Sequence, residues 1–182
     1  MLLRQKEKQM TKRSEHSPLG GSGAPRWMKC AGSVSLSYGV KDKESEYAKL
    51  GTAAHALAEL CLKDRTDAWQ WIETAQEGSV IFVDKDMADA VQVYLSAVRE
   101  WHPDRNQGNT WIERRFHCPT IHKYHYGTAD LVHLDKENKT LHVWDYKHGA
   151  GIVVEPKKTL SLCITPVVCS KTARPASSTC RR

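Results

Sequence analysis

The feature that most constrains the fold is a change of hydrophobic period close to Pro103. Upstream, apolar residues recur every three or four positions; downstream they gather in short runs rich in β-branched and aromatic side chains. From Glu44 to Lys63, the residues Tyr47, Leu50, Ala54, Leu57, Ala58 and Cys61 mark one face of an amphipathic helix. A second helix is expected from Asp84 to Trp101, with Met87, Val91, Tyr94, Leu95 and Val98 on its apolar face and Pro103 stopping it. Beyond it, Thr110 to His117, Tyr126 to Leu134 and Leu141 to Lys147 read as strands, and Asp135 to Asn138 supplies turn chemistry between the last two. Helices followed by an antiparallel run of strands predict an α+β, or mixed α/β, domain with a central sheet flanked by helices.

With 182 residues, 40% of them hydrophobic, the chain has material for one domain with a core but not for two comfortable ones. No run approaches the length of a membrane span, and Met1 to His16 is too charged for a secretory signal, so a soluble intracellular protein without a membrane partner is expected. The net charge of +6 comes from the ends. Residues 1–16 carry five basic and two acidic groups, and residues 156–182 carry six basic groups and no acid, which leaves −3 for residues 17–155. The basic balance is therefore weak evidence for nucleic-acid binding by the fold itself. Residues 1–25, with glycine, proline and charge but no apolar period, are expected to form a disordered leader, with the fold starting near Trp27. Residues 156–182 have no sustained period and are expected to form a basic tail that packs poorly.

Three polar positions stand out once placed on these elements. His55 lies on the first long helix, Asp130 on a strand between apolar neighbours, and Asp145 and Lys147 at the end of the next strand. Two residues apart on a strand, Asp145 and Lys147 project from one face. The turn before them lets the two strands pair antiparallel with Asp130 and Asp145 at the same end. Two carboxylates beside a histidine suit a divalent cation, and an adjacent ammonium is placed to orient water or offset phosphate charge, a set suited to phosphodiester cleavage. Read blandly, a helix histidine is decoration, and a strand-end Asp and Lys form a solvated pair.

An Asp followed, after a gap, by Asp-x-Lys on the next strand resembles the PD-(D/E)XK nuclease superfamily. The segments R-W-M-x-C-x-G-S at Arg26 to Ser33, G-T-A-A-H-A-L-A-E at Gly51 to Glu59, G-T-A-D-L-V at Gly127 to Val132 and D-Y-K-x-G-x-G at Asp145 to Gly151 together resemble its RecB-type exonuclease branch, and more closely the RecB-like proteins of phages and prophages. The resemblance spans residues 26–155 and implies a restriction-endonuclease-like core and a metal-dependent DNA exonuclease in the cytoplasm of a bacterial host, with DNA and a phage recombination or single-strand-binding protein as partners. It implies that His55, Asp130, Asp145 and the backbone carbonyl of Tyr146 ligate Mg²⁺ or Mn²⁺, that Lys147 positions the attacking water, and that Glu59 is at most a helper. Relatives of this kind hold an iron–sulfur cluster on one early and three late cysteines. Cys30 would be the early one, but the spacing of Cys163, Cys169 and Cys180 does not supply the late set, so no cluster is expected and Cys30 is read as a buried small hydrophobe.

The relatives continue after the lysine strand into a helix bearing N-P-Q-L-x-x-Y-A, which is not written here. One permitted codon spelling of Lys157 to Pro166, read two nucleotides later, gives E-N-P-Q-L-M-H-Y-A, so residues 157–182 are expected to be out of frame and the domain incomplete at its C-terminal side. Two other classes compete with a working nuclease: a non-catalytic DNA-binding or recombination accessory protein, and a zinc-stabilised interaction module built on His117, Cys118, His122 and His125. The zinc reading is disfavoured because adjacent His117 and Cys118 point to opposite faces of a strand. Glu113 can face the metal centre, although a solvent-facing glutamate is the commoner reading.

Overall fold

The computed structural model describes residues 17–37, 40, 45–75, 81–101, 109–120 and 122–149. Its architecture is mixed α+β: two single-turn helices, α1 (Ala24–Trp27) and α2 (Ser33–Leu36), two long helices, α3 (Glu46–Asp64) and α4 (Lys85–Trp101), and a three-stranded sheet in the order β1 (Thr110–His117), β2 (Tyr126–Asp135), β3 (Thr140–Trp144). The described residues divide between two compact units. One draws on the stretches Met1–Tyr38 and Phe116–Gly127, the other on Gly39–Arg115 and Thr128–Thr159.

Both long helices begin where a short polar side chain satisfies an orphan amide. Ser45 accepts from the Ala48 N–H at the start of α3, and Asp84 Oδ1 accepts from the Met87 N–H at 2.8 Å at the start of α4. At its other end α3 stops at Arg65, which turns left-handed with φ of 59°. The buried faces are Ala53, Ala54, Leu57, Ala58, Cys61 and Leu62 on α3, and Met87, Ala88, Val91, Gln92, Tyr94, Leu95 and Val98 on α4. All of them except Gln92 form one hydrophobic core with Ala68, Val83, Leu131 and Tyr146. One assignment fails. Tyr47, in the first turn of α3, is exposed.

Gln92 is polar yet buried, and its amide explains why: its oxygen accepts from the Ala68 N–H at 2.9 Å and its nitrogen donates to Asp67 Oδ1 at 3.1 Å. Arg99 closes the same network on Asp67 and on the Thr66 carbonyl, so the turn after α3 is tied to α4.

β2 and β3 pair antiparallel from Leu131↔Trp144 to Asp135↔Thr140, joined by a turn in which Asp135 Oδ1 accepts from the Asn138 N–H at 2.9 Å. Strand β3 ends at Trp144 rather than Lys147, so the argument that alternation puts Asp145 and Lys147 on one face does not apply. The register still places Asp130, one step beyond the last pair, across from Asp145.

In the smaller unit the expected leader is corrected over residues 17–25. They form a turn, a 3-10 segment at Gly21–Gly23 and the start of α1, held by a bond from Trp27 Nε1 to the Gly20 carbonyl at 3.0 Å, and Ala24 is fully buried. A leucine carbonyl and a serine hydroxyl in this stretch find partners on residues 116–127: His125 Nδ1 meets the Leu19 carbonyl at 3.2 Å, and Ser17 Oγ donates to the Tyr124 carbonyl. Those long-range bonds carry no local sequence signal. Cys30 is exposed after α1 rather than buried. Residues 1–16 and 150–182, including Cys163, Cys169 and Cys180, lie outside the described residues, and so does the question of reading frame.

Candidate metal centre

Helix α3 presents its core face through Ala54, Leu57, Ala58 and Cys61, and His55, one residue after Ala54, falls beside that stripe with its side chain 31% exposed. A histidine in this place is supported by the helix yet remains open to solvent. Two strand residues reach it. His55 Nδ1 lies 3.5 Å from Asp130 Oδ2 and 3.9 Å from Glu113 Oε1. Donor atoms of His55, Glu113 and Asp130 all fall within 4.8 Å of one another, the only such triple among the described residues.

Glu113 occupies an unusual backbone position, with φ of 43°, in the middle of β1. A left-handed residue breaks the extended run, and a non-glycine residue held there is commonly found at functional sites. Its neighbour Ile112 packs on the hydrophobic core while Glu113 turns to the histidine. The solvent-facing reading of Glu113 is therefore corrected. Strand alternation alone does not announce this direction, and the residue's local context, Trp-Ile-Glu-Arg-Arg, resembles an ordinary exposed strand.

The electrostatics of the group are those of crowded, half-dried carboxylates. Burial pushes Glu113 up from 4.5 to about 7, and the charges of Asp130 and Glu59 push the same way. Burial also raises Asp130, against the opposing pull of His55 and of the Tyr146 backbone N–H, which donates to Asp130 Oδ2 at 2.6 Å. Two buried acids next to each other are costly without a compensating cation, and a nitrogen with two carboxylates is a donor set that could hold a metal ion.

The remaining expected residues sit beside this group rather than in it. Asp145 acts on Asp130 through its charge, but its own carboxylate forms an ion pair with Lys147. Asp145 Oδ2 is buried, and the group that meets it among the described residues is the Lys147 ammonium of that ion pair. Lys147 is half exposed. Of Tyr146 it is the N–H that meets the cluster, while its ring packs edge-on to His55 with centroids 5.4 Å apart. The Tyr146 hydroxyl, pushed up to about 12 by burial, bonds His148 Nδ1 at 2.9 Å. Glu59 is taken by Lys63 on the next turn of α3.

The histidine-rich stretch of the smaller unit does not gather. Cys118 Sγ meets Thr120 Oγ1 at 3.4 Å, exposed His122 uses Nδ1 to accept from the Tyr124 N–H, buried His125 is engaged with Leu19, and exposed His117 packs on Tyr126. His117, Cys118, His122 and His125 thus turn to four different partners and do not form a ligand group among the described residues. Among the described residues no helix is long and apolar enough to cross a membrane.

Compared with known proteins, residues 16–164 match the model of a family described as "Protein of unknown function (DUF2800)". That match covers most of the chain, which belongs to this family. No solved structure matches it.

Proposed function

We propose that this DUF2800 protein is a metal-dependent nuclease of the PD-(D/E)XK superfamily, a RecB-like DNA exonuclease of phage or prophage origin. The observation that carries the reading is the convergence of His55, Glu113 and Asp130, from three different elements, next to an Asp145-x-Lys147 segment. A structural ion pair would not require a helix and two strands to aim three potential ligands at one point.

Bound there, Mg²⁺ or Mn²⁺ would acidify a water and neutralise charge on the scissile phosphate. His55, Glu113 and Asp130 are the residues that would hold it, with Asp145 joining once its carboxylate leaves Lys147. The Tyr146 N–H keeps Asp130 Oδ2 turned toward His55. Lys147, half exposed beside Asp145, supplies an ammonium to the phosphate oxygens as negative charge builds up in the transition state. Water's oxygen forms the new bond to phosphorus while the bond to the departing sugar oxygen breaks. The water's proton passes to solvent and the sugar oxygen is protonated in turn.

Calorimetric titration with Mn²⁺, paired with cleavage of end-labelled DNA, tests the proposal. Wild type binds one ion and cleaves. Asp130→Asn and His55→Ala lose both properties, whereas Lys147→Ala keeps the ion but loses cleavage, because an ammonium is not a ligand. Equal cleavage by wild type and Asp130→Asn would reject the assignment.

A further inference from the structure

Two histidines face each other across the β2–β3 hairpin: His133 stands opposite His142 in the register, with ring centroids 6.3 Å apart. Trp101, the last residue of α4, lies against both. Its ring is 4.5 Å from that of His142 and 5.7 Å, edge-on, from that of His133, and it also meets Trp144 at 5.4 Å. His133 is buried, and its Nδ1 meets Thr110 Oγ1, at the start of β1, at 2.8 Å. Residues of α4, β1, β2 and β3 therefore converge on two imidazoles. A pair of phenylalanines would bury as much ring, so packing alone does not call for groups that can take up protons.

We propose that His133, His142 and Trp101 form a proton-operated clasp that holds the end of α4 on the β2–β3 hairpin, closed while the two imidazoles carry at most one positive charge and opened when both are charged. This does not rest on the nuclease reading. One charge is tolerated, because an indole face attracts a cation and because Asp135 stands close by. The Asp135 carboxyl is held below the usual carboxylate range chiefly by the Asn138 N–H groups, and the charge of His142 adds to that effect. Two charges are not tolerated. Like charges directly opposite each other on paired strands repel, and His133 would carry its charge while buried, with a hydroxyl rather than a carboxylate at Nδ1. The other charged groups of these elements offer little relief. Arg99 is turned to Asp67 and the Thr66 carbonyl, while Glu100 on α4 and Lys136, Glu137 and Lys139 in the turn are exposed and screened by solvent. Residues 102–108, which follow Trp101, lie outside the described residues.

Amide hydrogen exchange of the full chain, followed by NMR and corrected for the intrinsic pH dependence of exchange, tests the clasp between about pH 8 and about pH 5, the span over which histidine gains its charge. Over that fall in pH the amides of Val98 to Trp101, in the last turn of α4, are expected to exchange roughly 2- to 13-fold faster, the worth of one aromatic pair. The α3 amides from Leu57 to Leu62 should not share the acceleration, which marks the opening as local. His142→Phe keeps a ring against Trp101 but leaves a single titratable group, and His142→Gln removes the charge without adding bulk; in both, the acceleration should vanish. Glu113 titrates in the same span but is present in all three proteins, so the comparison isolates the clasp. A last turn whose corrected rate does not change in the wild type, or changes as much in the two variants, overturns the proposal, and so does an acceleration that α3 shares in full.

Discussion

Replacing Glu113 by glutamine removes a titrating charge at nearly constant shape, and the consequence has a definite sign. Burial raises the folded-state Glu113 from 4.5 to about 7. In the unfolded chain it ionises near 4.5, so below that pH both states hold the proton and the group costs nothing. Between pH 4.5 and 7 the unfolded chain loses the proton while the folded one keeps it, and stability falls as pH rises. Above pH 7 the full penalty is in place. A shift of about 2.5 units corresponds to about 3 kcal/mol at 1.36 kcal/mol per unit, applied to a side chain only 22% exposed. In chelator, Glu113→Gln should therefore match wild type at pH 4.5 and exceed it by about 3 kcal/mol at pH 8, or roughly 6–12 °C in Tm for a chain of this size. The amide can still donate to Asp130, as protonated Glu113 does. Urea unfolding across the pH range measures the difference directly. A gap between the two proteins that stays constant from pH 4.5 to 8 would refute the reasoning, since it would mean that Glu113 does not titrate between those limits.

Adding Mn²⁺ at pH 8 should reverse the order, because the ion stabilises the wild type by mass action and finds one ligand fewer in Glu113→Gln; thermal melts with and without the ion read this out. Gln92→Ala should cost about 1–3 kcal/mol in urea unfolding by leaving the buried Ala68 N–H unpaired, and a cost near zero would show that water replaces the amide. Leu57→Ala, at a fully buried point of α3, should cost about 2–5 kcal/mol and reduce metal affinity as well, because His55 stands on the same helix two residues away. Ser45→Ala should cost about 1 kcal/mol through loss of the α3 cap, with no change in metal affinity.

Much of the framework is legible in the chain because it depends on local periodicity. The strand from Thr110 to His117, both long helices to within a residue or two, and the α4 face of Met87, Val91, Tyr94, Leu95 and Val98 follow from spacing alone, since burying an apolar stripe demands that spacing whatever lies opposite. His55, Asp130, Asp145 and Lys147 stand out in the same way, as polar residues set among apolar ones. What the sequence cannot express is direction in space once the backbone departs from regular geometry. Glu113 meets His55 from a position with φ of 43°, and nothing in Trp-Ile-Glu-Arg-Arg predicts that torsion. The same holds for Lys147, which pairs with Asp145 after β3 has already ended, and for residues 17–25, whose order comes from partners a hundred positions away. The helices and strands were decided by side-chain period. The identity of the second carboxylate in the cluster, Glu113 rather than Asp145, was decided by long-range packing, which costs one residue an unfavourable backbone torsion and brings an acid to the histidine.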